Sequence, residues 1–295
     1  MSNKLVKYWK ILVHSGRLFL KNDPLRMAGA TAFFTMFALP PILIILVQVF
    51  SLFIDPLTIR QELFAGLTDT FGIEAVRLIG TVILGFKKLT YNLTATVFGF
   101  IFLTFVATTL FKVIKNSINQ IWDLQVPLRK KVLSTIGSRL QSLLVILITG
   151  FLFSTAVFIE TLQVFIGNYF FKIFPSWSNL FNQLQTFSIS TIIIAIWFLM
   201  IFRYLPDGRP TWRVAWVGAF FTSFLFSIGK IILHLMLSYN NITSIYGASA
   251  SVVLLLLFLF YSAMILYYGA AFTRVWAGSK NQDIEHRHKE AVVAA

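Results

Sequence analysis

"RVAWVGAFFTSFLFSIGKIILHLMLS", residues 213–238, is an apolar run long enough to cross a bilayer, yet it carries a lysine and a histidine. A helix of about 20 apolar residues covers the roughly 30 Å of hydrocarbon in a membrane. Five polar residues of the run recur every three or four positions: Ser223, Ser227, Lys230, His234 and Ser238. Residues at this spacing share one side of a helix, so the run predicts a membrane-spanning helix with a polar stripe.

The whole chain has the composition of a membrane protein. Hydrophobic residues make up 57% of its 295 positions, charged residues make up 12%, and the mean hydropathy is +0.79. These values favour a bundle of spanning helices over a water-soluble domain. We predict an all-α polytopic domain over residues 26–276, with transmembrane helices at 27–54, 92–113, 139–166, 186–205, 213–238 and 246–273.

Basic residues are distributed unevenly between the two sides of this predicted six-span bundle. Of the 25 lysines and arginines, 19 fall on the side that holds both chain ends, five fall on the other side, and Lys230 lies within a span. Because basic segments stay in the cytoplasm, both termini should be cytoplasmic. The net charge of +14 then indicates contact with anionic lipid headgroups rather than with nucleic acid.

Three segments lie outside the predicted spans. Residues 1–25 are predicted to form an amphipathic helix on the membrane surface, because these basic residues recur at helical spacing: Lys4, Lys7, His14, Arg17 and Lys21. Residues 55–91, on the side with few cations, contain "GIEAVRLIGTVILGF", which predicts an outer-surface or re-entrant helix. Residues 277–295 form a charged tail that we expect to be disordered.

Lys230 is the feature of the spans that most needs an explanation. A lysine that faces lipid at depth costs a few kcal/mol, so we expect Lys230 to face a polar cavity together with Ser223, Ser227 and His234. The alternatives are a buried structural ion pair and a side chain that snorkels to the outer interface. Glu160 is the candidate acid for a pair, and an interfacial carboxylate is its other interpretation. His234 is either a proton carrier or a hydrogen-bonded histidine.

Consecutive prolines interrupt the first span. Pro40 and Pro41 predict a kink or break, because each proline removes one helical hydrogen bond. Broken helices line the binding sites of many transporters, although a purely structural kink is an equal alternative. The chain has no cysteine and only four histidines, so we expect no metal site and no cofactor.

Three stretches resemble the YihY/BrkB family of integral membrane proteins, formerly labelled ribonuclease BN. They are "RMAGATAFFTMFALPP" at 26–41, "INQIWDLQVP" at 118–127, and the region 202–270 that contains "FRYLPDGRP". The matching motif positions are Arg26, Asn119, Trp122, Arg203, Tyr204, Pro206, Gly229, Tyr246 and Gly247. Two positions depart from the family pattern, since Ala271 stands where a glutamate is frequent and Gln120 where an arginine is common.

The resemblance implies six spans with cytoplasmic ends in a bacterial inner membrane, and a role in transport or, in one branch, in serum resistance. We expect a transporter or lipid flippase whose polar, basic cavity favours anionic cargo. A non-transporting scaffold for envelope integrity is the alternative. The ribonuclease label fits poorly, because the inner loops between spans offer Asp123 and Asp207 as their only acids. We therefore expect no enzymatic activity.

Overall fold

The computed structural model describes residues 2–50, 93–124, 178–239 and 250–286, together with Arg77 and Gly80, which are helical. Six helices lie within this part of the chain: α1 (Ser2–Lys21), α2 (Pro24–Phe50), α3 (Leu93–Ile121), α4 (Ser178–Tyr204), α5 (Trp212–Tyr239) and α6 (Ala250–Ser279). The described residues also contain two short strands, β1 (Gly208–Arg209) and β2 (Glu285–His286). The described residues are thus mostly helical, in agreement with the predicted all-α class.

Five of the predicted spans coincide with helices of the structure. The first, second, fourth, fifth and sixth correspond to α2, α3, α4, α5 and α6, whereas the third, at 139–166, lies outside the described residues. Within that described part, two segments are long and apolar enough to cross a membrane: Trp212–Ile232 in α5 and Val252–Ser279 in α6. The other spans, and the sidedness of the bundle, stay predictions.

The two prolines of α2 do not interrupt the helix. α2 continues through Pro40 and Pro41 to Phe50, so the helix is not broken there, and a kink at the two prolines stays a prediction. Proline fixes φ near −65°, which is a helical value, and therefore it can remove a hydrogen bond without forcing the backbone out of the helix.

α6 lies at the centre of the described bundle, where it contacts α1, α2, α3 and α5, while α4 packs on α5. Its core-facing positions include Ala263, Ala270 and Ala271, all of them buried. Small side chains allow helix backbones to approach closely, and such close packing holds helices together where the hydrophobic effect does not. Ala271, where the family often has glutamate, is fully enclosed.

The contact between α5 and α6 is built from two matching glycine–threonine pairs. A Cβ atom on Gly218 would lie 2.0 Å from Thr273 Oγ1, and one on Gly269 would lie 1.9 Å from Thr222 Oγ1. Each threonine hydroxyl donates a hydrogen bond of 2.7 Å to the glycine carbonyl one turn earlier in its own helix, Thr222 to Gly218 and Thr273 to Gly269. Each helix therefore inserts a threonine into the gap that the other helix leaves by having no side chain.

Three helices end on a residue in the left-handed conformation. Asp23, Asp123 and Asn281 have φ values of 52°, 54° and 53° and follow α1, α3 and α6. Asp and Asn tolerate this conformation better than most residues do. At the end of α3 the Leu124 amide donates to the Asn119 carbonyl at 2.9 Å, which is the six-residue bond of a Schellman cap.

The end of the bundle that contains residues 205–211, between α4 and α5, is called the turn end here. The tail returns to it: Ile284 is buried, and Gly208 pairs with His286 in an antiparallel register. A Cβ atom on Gly208 would lie 2.7 Å from the Ile284 side chain and 2.8 Å from that of Leu124, so only glycine fits. The predicted disorder of the tail is therefore wrong for residues 277–286, because strand pairing and Ile284 hold the segment; residues 287–295 lie outside the described part.

Candidate functional site

The polar stripe of α5 faces α4 at its centre. α4 and α5 run antiparallel, because they pack together and only residues 205–211 separate them. Ser227 and Thr191 are both buried between the two helices, and their hydroxyl oxygens are 3.1 Å apart in a hydrogen bond. The two hydroxyl groups satisfy each other's hydrogen bonding, so they form a polar contact without net charge inside an apolar bundle.

Further from the turn end, two polar residues on the same sides of α4 and α5 are exposed. Lys230 is three residues beyond Ser227 on α5, and Ser188 is three residues before Thr191 on α4. Because the helices are antiparallel, both residues lie on the side of the hydroxyl pair away from the turn end, and both side chains are exposed. We call these four residues, Ser188, Thr191, Ser227 and Lys230, the α4–α5 groove.

The exposure of Lys230 bears on its three sequence interpretations. A fully buried ion pair would leave the lysine side chain inaccessible, whereas the side chain of Lys230 is exposed. An opening between helices and a snorkelling side chain both agree with exposure. The pair with Glu160 stays a prediction, because Glu160 lies outside the described residues. The role of His234 also stays a prediction, because its backbone belongs to α5 but its side chain is outside the described part.

Two other α5 residues that the sequence singled out have structural roles. Ser223 is buried, and its hydroxyl donates to the Phe220 carbonyl at 3.0 Å within its own helix. Gly229 faces α6, where a Cβ atom would lie 1.3 Å from the Tyr261 hydroxyl oxygen. The glycine of the glycine–lysine pair thus makes room for Tyr261, and the lysine next to it points to another side of α5.

Several of the family-motif residues meet at the turn end. The Asn119 amide donates to Asp207 Oδ2 at 2.8 Å, and the Asp207 backbone N–H donates to Asn119 Oδ1 at 3.0 Å. Lys115 Nζ lies 2.7 Å from Asp207 Oδ1. One carboxylate and one amide thereby tie α3 to the turn between α4 and α5. Such a reciprocal pair fixes the position of both backbones and leaves no unpaired buried charge.

The aromatic and basic motif residues complete this connection. Trp122 is fully buried, and its indole N–H donates to the Ala270 carbonyl of α6 at 2.9 Å. Arg203 donates to the Pro210 carbonyl, and its guanidinium carbon lies 5.1 Å from the centre of the Trp212 ring. Pro206 is buried in the same turn. These contacts position the start of α5, and hence the register of its polar stripe.

The remaining motif residues lie near these contacts or outside the described part. Arg26 donates to Gln120 Oε1 at 3.4 Å, which explains how a glutamine is accommodated where the family often has arginine. Tyr204 is exposed, with its ring 6.4 Å from that of Trp212. Tyr246 and Gly247 lie outside the described residues.

A second buried polar group joins α2, α3 and α6. The Tyr267 hydroxyl shares hydrogen bonds with the hydroxyls of Thr31 and Ser117, and all three side chains are buried. Sequence reasoning missed this group, and it also missed Ser188 and Thr191. The signal for the α4 residues was present, since serine and threonine three positions apart share one helix face, whereas nothing local links residues 31, 117 and 267.

The groove offers hydrogen-bond donors and one positive charge. Hydroxyl groups donate or accept, and a lysine ammonium has three donors and no acceptor. This combination suits an anion or a phosphate group better than a cation.

Comparison with known proteins identifies the relatives of this chain. The sequence profile of the family described as Virulence factor BrkB matches residues 17–294. A UPF0761 membrane protein of Pseudomonas aeruginosa is 25% identical over 91% of this chain and 62% of its own length. One from Mannheimia succiniciproducens is 28% identical over 87% of this chain and 86% of its own length.

The chain thus spans about three fifths of the length of the Pseudomonas relatives that it matches, and most of the Mannheimia relative. No solved structure matches it. The relatives are named membrane proteins, in agreement with the two apolar helices α5 and α6 of this chain. Because the profile covers nearly the whole sequence, the chain belongs to the virulence factor BrkB family of membrane proteins.

Proposed function

We propose that this protein transports anionic cargo, either a small anion or a lipid with an anionic headgroup, along the α4–α5 groove. The observation that carries the proposal is the exposure of Lys230, within a helix apolar enough to span a membrane, one turn from the buried Thr191–Ser227 pair. A lysine exposed to hydrocarbon costs a few kcal/mol, so a water-filled opening is the more favourable surrounding. Sites of this kind mark substrate paths in membrane proteins.

The proposal includes a topology. Six spans cross a bacterial inner membrane, both termini lie in the cytoplasm, and the turn end faces inward, since 19 of the 25 lysines and arginines then lie inside. Lys230 is about 27 Å along the helix axis from Trp212, at roughly 1.5 Å per residue, so it lies in the outer half of the bilayer. The groove would then open outward.

The topology can be tested with single cysteines, because the sequence has none of its own. A cysteine at Arg77 should react with a membrane-impermeant thiol reagent in cells whose outer membrane is permeabilised and whose inner membrane is intact. A cysteine at Lys280 should react only after the inner membrane is opened. The reverse pattern would contradict the assigned sidedness.

The chain is proposed to have no enzymatic activity, and therefore not to be a ribonuclease. Asp207, one of the two acids in the inner loops, is paired with Lys115 and hydrogen-bonded to Asn119, so it has little freedom to bind a catalytic metal or a proton. RNA cleavage by two-metal or acid–base chemistry requires several such groups together.

The proposed transport is tested in liposomes. Wild type and Lys230→Met are reconstituted at equal density, and the efflux of inorganic anions and organic acids and the flipping of fluorescent phosphatidylglycerol are recorded. We expect wild type to move at least one of these, and Lys230→Met to move it roughly 10- to 100-fold more slowly, the effect of losing one charge-assisted contact.

Lys112→Met is the matched control, because Lys112 is an exposed lysine on α3, outside the groove. It should transport like wild type. If folded wild type moved none of the probes, transport would be contradicted and a scaffold role for the bundle would take its place. If both lysine variants slowed transport equally, the groove would not be the path.

A further inference from the structure

α1 is anchored along one side to α6. Tyr8 stacks on Trp276 with ring centres 6.1 Å apart and planes 9° apart, and Phe19 meets Tyr268 edge-on at 5.6 Å. Ile11, between them, is buried. α1 is therefore packed on α6 along one side. These contacts also fix the direction in which the remaining surface of α1 faces.

The second side of α1 is apolar but exposed. Trp9, Val13 and Leu20 follow one another at helical spacing, and their exposed fractions are 68%, 37% and 70%. Val6, at 49%, extends the row by one turn. A continuous row of large apolar side chains is unfavourable in water, because burying each of them fully would give about 1.5–3 kcal/mol of transfer free energy. Such a row indicates a surface that is covered by something outside the described residues.

The third side of α1 is uniformly basic. Lys7, Lys10, His14, Arg17 and Lys21 recur at steps of three and four, and every one of them is exposed. The helix Ser2–Lys21 contains no acidic residue, so nothing within it neutralises this row. The basic row and the apolar row are neighbours on the helix surface, which is the arrangement of a helix that lies at a membrane interface.

We propose that α1 is a docking surface for anionic phospholipid headgroups, with its apolar row in the acyl-chain region and its basic row against the phosphates. Charge complementarity selects this occupant over a second protein copy, because a row of cations without an acid repels its own copy. Each lysine or arginine near an anionic leaflet gives roughly a fivefold preference for that leaflet. The inference is independent of transport, since it concerns the lipid that surrounds α1 and not the cargo.

The test uses the full chain in liposomes and the fluorescence of Trp9. The Trp9 signal is the difference between wild type and Trp9→Phe, and it is quenched with brominated phosphatidylglycerol or brominated phosphatidylcholine. We expect both lipids to quench, with phosphatidylglycerol the more effective at equal content. In Lys7→Gln/Lys10→Gln this preference should fall severalfold, since each cation next to a headgroup contributes roughly fivefold.

The matched control is Lys112→Gln/Arg213→Gln, which removes two exposed cations outside α1 and should keep the preference of wild type. Circular dichroism and gel filtration establish that each variant is folded. Equal quenching by the two lipids in wild type would overturn the proposal, because α1 would then be an interfacial helix without headgroup selectivity. Absence of quenching by either lipid would overturn it too, because protein would then cover the apolar row.

Discussion

At the scale of single residues, the glycines of the α5–α6 contact make the sharpest prediction. Gly269→Ala should lower the free energy of unfolding by about 1–3 kcal/mol, because the new methyl group overlaps Thr222, whose branched side chain cannot move away. Thermal unfolding in detergent measures the loss. Gly29→Ala is the control, since no atom lies within 4 Å of its Cβ position, and it should be neutral or stabilising. Equal losses in both variants would contradict the described packing.

Asp207 gives a second prediction at this scale. Its carboxylate meets Lys115 at 2.7 Å and Asn119 at 2.8 Å in a partly buried site. Asp207→Ala should therefore destabilise the protein by about 1–3 kcal/mol, since both partners lose their acceptor. Asp283→Ala, measured in the same unfolding assay, should cost under about 1 kcal/mol, because Asp283 is 73% exposed and 3.8 Å from Arg274. A larger effect at Asp283 would show that the turn-end contacts are misassigned.

At the scale of elements, the returning tail is tested through Ile284. Ile284→Ala removes most of a buried side chain next to Gly208 and Leu124, at a cost of about 2–4 kcal/mol to the local structure. Residues 280–286 should exchange their amide hydrogens faster, while the centre of α6 stays protected. Gln282→Ala, which loses one exposed hydrogen bond to Thr211, should change exchange much less. Unchanged protection in Ile284→Ala would contradict the docking of β2 on β1.

The helices themselves were predictable, because hydropathy and period are local properties of the sequence. Predicted span 213–238 became α5, Trp212–Tyr239, and span 27–54 became α2, Pro24–Phe50. The tail strand was not predictable, because its charged sequence gave no sign that Ile284 would be buried or that Gly208 would accept it. Pairing of two-residue strands depends on the position of distant elements and not on local propensity.

At the scale of the whole molecule, the polar stripe of α5 was predictable and its surroundings were not. Serines and a lysine at helical spacing indicated one polar side, but the burial of Ser227 and the exposure of Lys230 depend on how the neighbouring helices pack on α5. Likewise, Asn119 and Asp207 are 88 positions apart, and no property of either segment alone indicates that they bond. Helix identity follows from a single sequence, whereas helix pairing requires three-dimensional information.

Charge selectivity in a reconstituted bilayer shows whether cargo passes Lys230. If anionic cargo passes Lys230 in the α4–α5 groove, wild type should carry anions faster than cations of similar size, and Lys230→Glu should reverse that order, since a carboxylate attracts cations and repels anions. The permeability ratio is read from the reversal potential in a salt gradient, or from paired efflux rates if transport is electrically silent. A reversed ratio in Lys230→Glu is the predicted result. An unchanged ratio, with both proteins folded and active, would show that the cargo does not pass Lys230.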